Sequence, residues 1–166
     1  MSGIIHNNAI AYPQQKHGYS YHDKMMMQLG VYASGTISSL QNDEKGNPTW
    51  IVSGIWKGGL FTTGNPPNAT LHSKFNMVMT NGSALHDHEI YDFKLTNMTA
   101  LSDAITIYNG TATVTMRQGP VTNVPISIES LESNVISIWV DPAMINNHFG
   151  DTPIFGTIEK LLEVEK

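Results

Sequence analysis

The stretch LHSKFNMVMTNGSALHDHEIYDFKL, residues 71–95, sets two runs of alternating apolar and polar residues around Asn81-Gly82. Asn-Gly between such runs is the strongest short-range signal for a β-hairpin. A two-residue loop opposes Met79 to Ala84, Met77 to His86, Phe75 to His88 and Ser73 to Ile90. Cross-strand partners share a face, so His86 and His88 fall on the side of Phe75, Met77 and Met79. The other face then carries Lys74 against Glu89, Asn76 against Asp87 and His72 against Tyr91, as a solvated surface would. A four-residue loop, Thr80 to Ser83, keeps this register. A three-residue loop inverts it and sets Asp87 and Glu89 against Phe75 and Met77, a costly burial of carboxylates. The histidines are therefore expected to point inward.

Two inward imidazoles need hydrogen-bond partners or a metal. Alternate residues of a strand project the same way, so His86 and His88 can offer two nitrogens to one ion. A catalytic zinc site takes three protein ligands and leaves one position open. His148, following a short predicted helix, is the first candidate for the third. His72 looks outward, and Asp92 lies about 13 Å beyond His88 at ~3.3 Å per residue, out of reach. Imidazole donors suit zinc or copper. Phe75 and Met77, on the histidines' face, are the candidate apolar contacts for a cofactor or ligand.

Outward from the hairpin the chain reads as strand, turn, strand. LGVYASGTISSL (29–40) places Leu29, Val31, Ala33 and Ile37 on one face. WIVSGIWKGGLF (50–61) is apolar on both faces, as an interior strand is. Its Gly54-Ile55-Trp56 matches the Gly-x-Trp of the first lipocalin strand, but another strand precedes it here, and the glycines mark tight packing instead. Residues 96–103 read as a polar interruption. A second Asn-Gly, Asn109-Gly110, predicts a tight turn that pairs Ile107 with Ala112 and Ile105 with Val114, unless a bulge switches the faces. NVPISI and VISIWV form a further pair with apolar residues at even positions. Asp141-Pro142 reads as an N-cap and first helical residue, opening about two turns that Gly150 ends. PIFGTI is a last strand. The fold expected is all-β, a single antiparallel barrel or two-sheet sandwich of seven to nine strands, with one short helix near 142–148. Residues 1–28 form an N-terminal arm, 29–160 the β domain and 161–166 a charged tail.

Charged residues make up only 14 % of the 166 residues, against roughly 25 % in ordinary soluble domains. The net charge is −5 and no basic run occurs, which argues against a nucleic-acid partner. The absence of cysteine excludes disulfides, thiolate metal sites and cysteine nucleophiles. No apolar run reaches the ~18 residues of a membrane span, and the N-terminus lacks the pattern of a signal peptide. Sequons at Asn68, Asn81, Asn97 and Asn109, with the neutral composition, point to an extracellular or cell-surface protein. The arm carries His6, His17, His22 and three consecutive methionines, donors that also suit copper. There is no P-loop, dinucleotide fingerprint or Gly-x-Ser-x-Gly, and Asp87 and Glu89 resemble a solvated face more than a pair of catalytic acids.

The leading expectation is a β domain binding zinc or copper through His86, His88 and His148, with metal-dependent hydration or hydrolysis if it is an enzyme. A structural or adhesive domain that self-associates by strand addition is the second reading. A barrel holding a small apolar ligand is the third.

Overall fold

The computed structural model describes residues 31–60 and 68–163. The expected arm, with its histidines and methionines, lies outside the described residues. Nine strands follow in chain order: β1 (Val31–Asn42), β2 (Pro48–Gly58), β3 (His72–Met79), β4 (His86–Ser102), β5 (Ile105–Val114), β6 (Val121–Leu131), β7 (Val135–Val140), β8 (Ile154–Thr157) and β9 (Lys160–Glu163). Each of the first seven pairs antiparallel with the next, and β8 pairs back onto β1 through Ile37 and Gly156. The sheet is thus a closed, eight-stranded, up-and-down antiparallel barrel, and the sandwich alternative falls away. Lys160–Glu163 joins the same edge of β1 as β9, so the stretch expected to begin a charged tail enters the sheet.

Inward positions alternate as the pleat requires. Ala33 and Ile37, Val52 and Trp56, Phe75 and Met77, and Ile136, Ile138 and Val140 are all buried. Trp56, Tyr108, Phe75 and Phe149 are the largest wholly buried side chains, and they fill the interior with the isoleucines. Closure depends on a close approach at Gly35. Its missing Cβ leaves room for the Thr157 carbonyl, which accepts a hydrogen bond from Trp56 Nε1 at 2.9 Å. The Gly-x-Trp element thereby fastens β2 across β1 to β8.

Three expectations are corrected. Asn109-Gly110 makes no turn, because β5 runs unbroken through it. Gly110 lies where a Cβ would meet the Phe93 ring at 2.8 Å, so the glycine serves close strand packing, and the real turn comes at 116–120. Residues 96–103 are no interruption, since β4 continues to Ser102. Its register shifts between Tyr91 and Lys94, Leu95 and Asn97, and Ala100 and Ser102 let a long strand bend around the barrel. The helix is one 3-10 turn, Pro142–Ile145, capped by Asp141, whose side chain accepts from Ala143 N. It ends at Asn146 in the left-handed region (φ 52°), short of the two turns expected.

Among the described residues no helix is long and apolar enough to cross a membrane. An up-and-down barrel sends its odd-to-even connections to one end. The β1–β2, β3–β4, β5–β6 and β7–β8 loops therefore gather at a single mouth.

Candidate metal centre

The β3–β4 ladder has the inward register. Met77 opposes His86, Phe75 opposes His88, Ser73 opposes Ile90, Lys74 opposes Glu89 and Asn76 opposes Asp87. The loop reaches this register by an unforeseen route. Met79 N donates to Ser83 O and Gly82 N to Met79 O, so the turn closes one residue earlier than a two-residue Asn-Gly loop. Left alone, that odd loop would expel the histidines. Ala84, held at φ 56°, takes up the extra residue and restores their facing. Left-handed backbone costs a non-glycine residue about 1–2 kcal/mol, and here it also aims the Ala84 carbonyl at His86.

His86 Nδ1 donates to Ala84 O at 2.7 Å, and His88 Nδ1 donates to Thr115 O at 2.7 Å. A carbonyl only accepts, so these bonds fix the proton of each neutral ring on Nδ1 and leave Nε2 as a bare acceptor. Thr115, just beyond β5, is itself tied to β4: its Oγ1 accepts from Glu89 N at 2.7 Å and its N donates to Glu89 O at 2.9 Å. His88 is thus held by a strand rather than by a free loop, and it is 3 % exposed.

His148 arrives from the β7–β8 loop. Asn146 and Asn147 both have left-handed backbone (φ 52° and 56°), a conformation that asparagine tolerates better than most residues. They turn the chain back so that Phe149 plugs the barrel, packing on Phe75 and His88 with ring centroids 5.5 and 5.0 Å away. Buried Gln41, whose Oε1 accepts from the Thr152 hydroxyl, pins the far side of this loop. His148 Nε2 then sits 3.1 Å from His86 Nε2 and 3.0 Å from His88 Nε2. All three ligand atoms lie within 4.8 Å of one another, and together they could hold a metal ion.

Proton accounting shows what this arrangement lacks. His86 and His88 each point a lone pair at His148, whose Nε2 can supply one proton at most. Two short contacts therefore share a single hydrogen. Protonating the cluster is no remedy. Burial first, and then the charges of His88 and His86, push His148 down to about 4. Burial also lowers His88, against the opposing effect of the Thr115 carbonyl.

Trp50 meets the His86 ring edge-on at 5.4 Å. Beside the three nitrogens opens a cleft of about 900 Å³, lined by residues of the β3–β4 and β5–β6 loops and the 3-10 turn. Comparison with protein-family models, with curated proteins and with solved structures gives no match. The chemistry of the mouth has to be read from its own geometry.

Of the residues singled out in the sequence, His86, His88 and His148 come together. Phe75 and Met77 are each 1 % exposed and form the packed floor beneath the imidazoles, away from the cleft lining. His72 turns outward to Glu89 at 3.5 Å, and Lys74 meets the same carboxylate at 3.1 Å. Lys74 does most to hold Glu89 below the usual carboxylate range. Asp92 sits at a bulge with φ 54° and is exposed, so it leaves the histidines' face altogether. Thr115, Trp50, Phe149 and Arg117, which lines the cleft, escaped sequence reasoning. Arg117 carried the one available signal, as the only arginine of the chain.

Proposed function

We propose that this barrel binds one divalent transition metal, zinc before copper, through Nε2 of His86, His88 and His148. The observation that carries the reading is the convergence of three Nε2 atoms, two of them stripped of their proton by backbone carbonyls. Nitrogens bound to one zinc at about 2.0–2.1 Å in tetrahedral geometry stand about 3.3 Å apart. The two Nε2 separations here, 3.1 and 3.0 Å, are within a few tenths of that edge. An imidazole that donates its other N–H to a carbonyl has the usual second partner of a metal-binding histidine. A cation among the three would also relieve the opposed lone pairs. Three imidazole ligands with a fourth position open are a ligand set of catalytic zinc, which puts zinc first, although imidazole suits copper as well.

Three protein ligands leave a position open, and the cleft offers small molecules a way to it. Zinc so held supplies a bound water with a pKa near 7, which makes hydration or hydrolysis of a small molecule the reaction class the site suits. Glu89 is turned away to Lys74 and His72 and takes no part. The other two readings find less support. The eight barrel strands are paired on both sides, which leaves β9, paired to β1 alone, as the one edge for strand addition among the described strands. The interior is filled with side chains, so an apolar ligand would have to sit in the cleft.

The test is metal analysis of protein purified without an affinity tag and incubated with zinc or copper. About one equivalent per chain is expected, falling below about 0.2 in His86→Ala, His88→Ala and His148→Ala, because a three-ligand site rarely survives loss of a ligand. Wild-type protein that stays at that low level with both metals would refute the proposal.

A further inference from the structure

We infer that the cleft takes an organic carboxylate, with Arg117 gripping the carboxylate and the apolar body lying between it and the histidines. The inference rests on the metal reading for what happens at the other end of the ligand, but its anion subsite stands on separate residues. Arg117 is the chain's only arginine, and it lines the same cleft as His86, His88 and His148. It is exposed, and among the described residues no ion pair engages it. Asp87, the acid of the same cleft lining, makes no ion pair with it among the described residues.

A free guanidinium at the wall of a cleft offers a planar fork of N–H donors that matches a carboxylate in two parallel bonds. The remaining wall decides the character of the ligand. Met116, Val121, Ile145, Leu85 and Met144 all contribute to it. Leu85 is 70 % exposed and Met144 44 % exposed, a degree of wetting that large apolar side chains lose when a ligand covers them. Methionine also adapts to ligands of varied shape. A cleft near 900 Å³ is at the upper end of the range for sites that enclose a small organic molecule. Cationic fork, apolar wall and open metal position together describe an amphiphilic monocarboxylate whose polar far end faces the histidines.

The experiment titrates zinc-loaded protein with hexanoate, phenylacetate and benzoate, and with the corresponding uncharged amides, by calorimetry or NMR. At least one carboxylate is expected to bind, about tenfold or more tighter than its amide, as loss of a charge-assisted pair implies. Arg117→Gln should erase that preference while zinc content and amide binding hold, and Arg117→Lys should restore part of it. Carboxylates that bind no better than amides, or that bind Arg117→Gln as tightly as wild type because they sit on the metal instead, would overturn the inference. The same titration on metal-free protein separates the two readings. A carboxylate preference that persists there and depends on Arg117 supports the anion subsite even if zinc never binds.

Discussion

Replacing Gly35 with alanine tests how the barrel is closed. A methyl group there would run into the Thr157 carbonyl and come 3.0 Å from Trp56 Nε1. Relief requires β8 to retreat from β1 or the indole to leave its place, and either breaks the 2.9 Å bond from Trp56 Nε1 to Thr157 O. Forcing extra volume into a packed site costs about 1–3 kcal/mol. Leaving the donor of a 2 %-exposed tryptophan without a partner costs about 1–3 kcal/mol more. Gly35→Ala should therefore lose about 2–6 kcal/mol, a large share of the roughly 5–15 kcal/mol that holds a domain folded. Urea unfolding followed by tryptophan fluorescence gives the number, and Trp56→Phe gives the control, since it removes the N–H and keeps a ring. The two substitutions share one bond, so the double variant should cost less than their sum. A Gly35→Ala variant within about 1 kcal/mol of wild type, or strict additivity with Trp56→Phe, would refute this account of closure.

Other outcomes follow from the mouth. His148 is held down to about 4, by burial and by His88 and His86, from a reference of 6.5. The unfolded, metal-free chain accepts a proton that the folded chain refuses. This contribution to stability is complete above the unfolded pKa and is lost as pH falls from about 6.5 towards 4. Between pH 7.5 and 5 the metal-free wild type should lose roughly 1 kcal/mol more than His148→Gln, allowing for solvent screening of a half-buried ring, and parallel denaturation curves would contradict this. Ala84→Val, which sets a β-branched residue at φ 56°, should weaken zinc binding about tenfold by moving the Ala84 carbonyl from His86. Ala84→Gly should leave zinc affinity unchanged, and equal affinities in the two variants would sink the role given to Ala84. Glu89→Gln should cost less than about 1 kcal/mol, as exposed ion pairs do, with zinc affinity unaltered in a direct titration.

The candidate site was legible in the sequence because alternation is a strong constraint. Once Lys74, Asn76, Asp87 and Glu89 claimed the wet face, parity put His86 and His88 opposite, and the short turn before Gly150 nominated His148. What alternation could not convey was the loop. Asn81-Gly82 announced a hairpin, but the left-handed Ala84 that keeps the parity has no signature in an alanine. Asn109-Gly110 shows the reverse failure: the same dipeptide lies inside a strand because the Phe93 ring needs the space of a side chain, a long-range reason that local pattern does not hold. The bulges of β4 hid for the same cause, since polar residues at 96–103 look like a loop until their neighbours are known. Barrel and sandwich share one strand pattern, and the choice fell to a contact between residues 35, 56 and 157, distant in sequence. Arg117 was visible as a lone charge near a Gly-Pro turn, yet only the meeting of loops at one mouth sets it in the same cleft as the histidines.

The central claim is that three histidine nitrogens converge to hold a metal. Anomalous diffraction at the zinc absorption edge, from crystals of the zinc-loaded, tag-free chain, tests it most directly. One peak is predicted about 2.0–2.1 Å from Nε2 of His86, His88 and His148 together. A peak elsewhere, or none at this mouth with zinc present in excess, would contradict it.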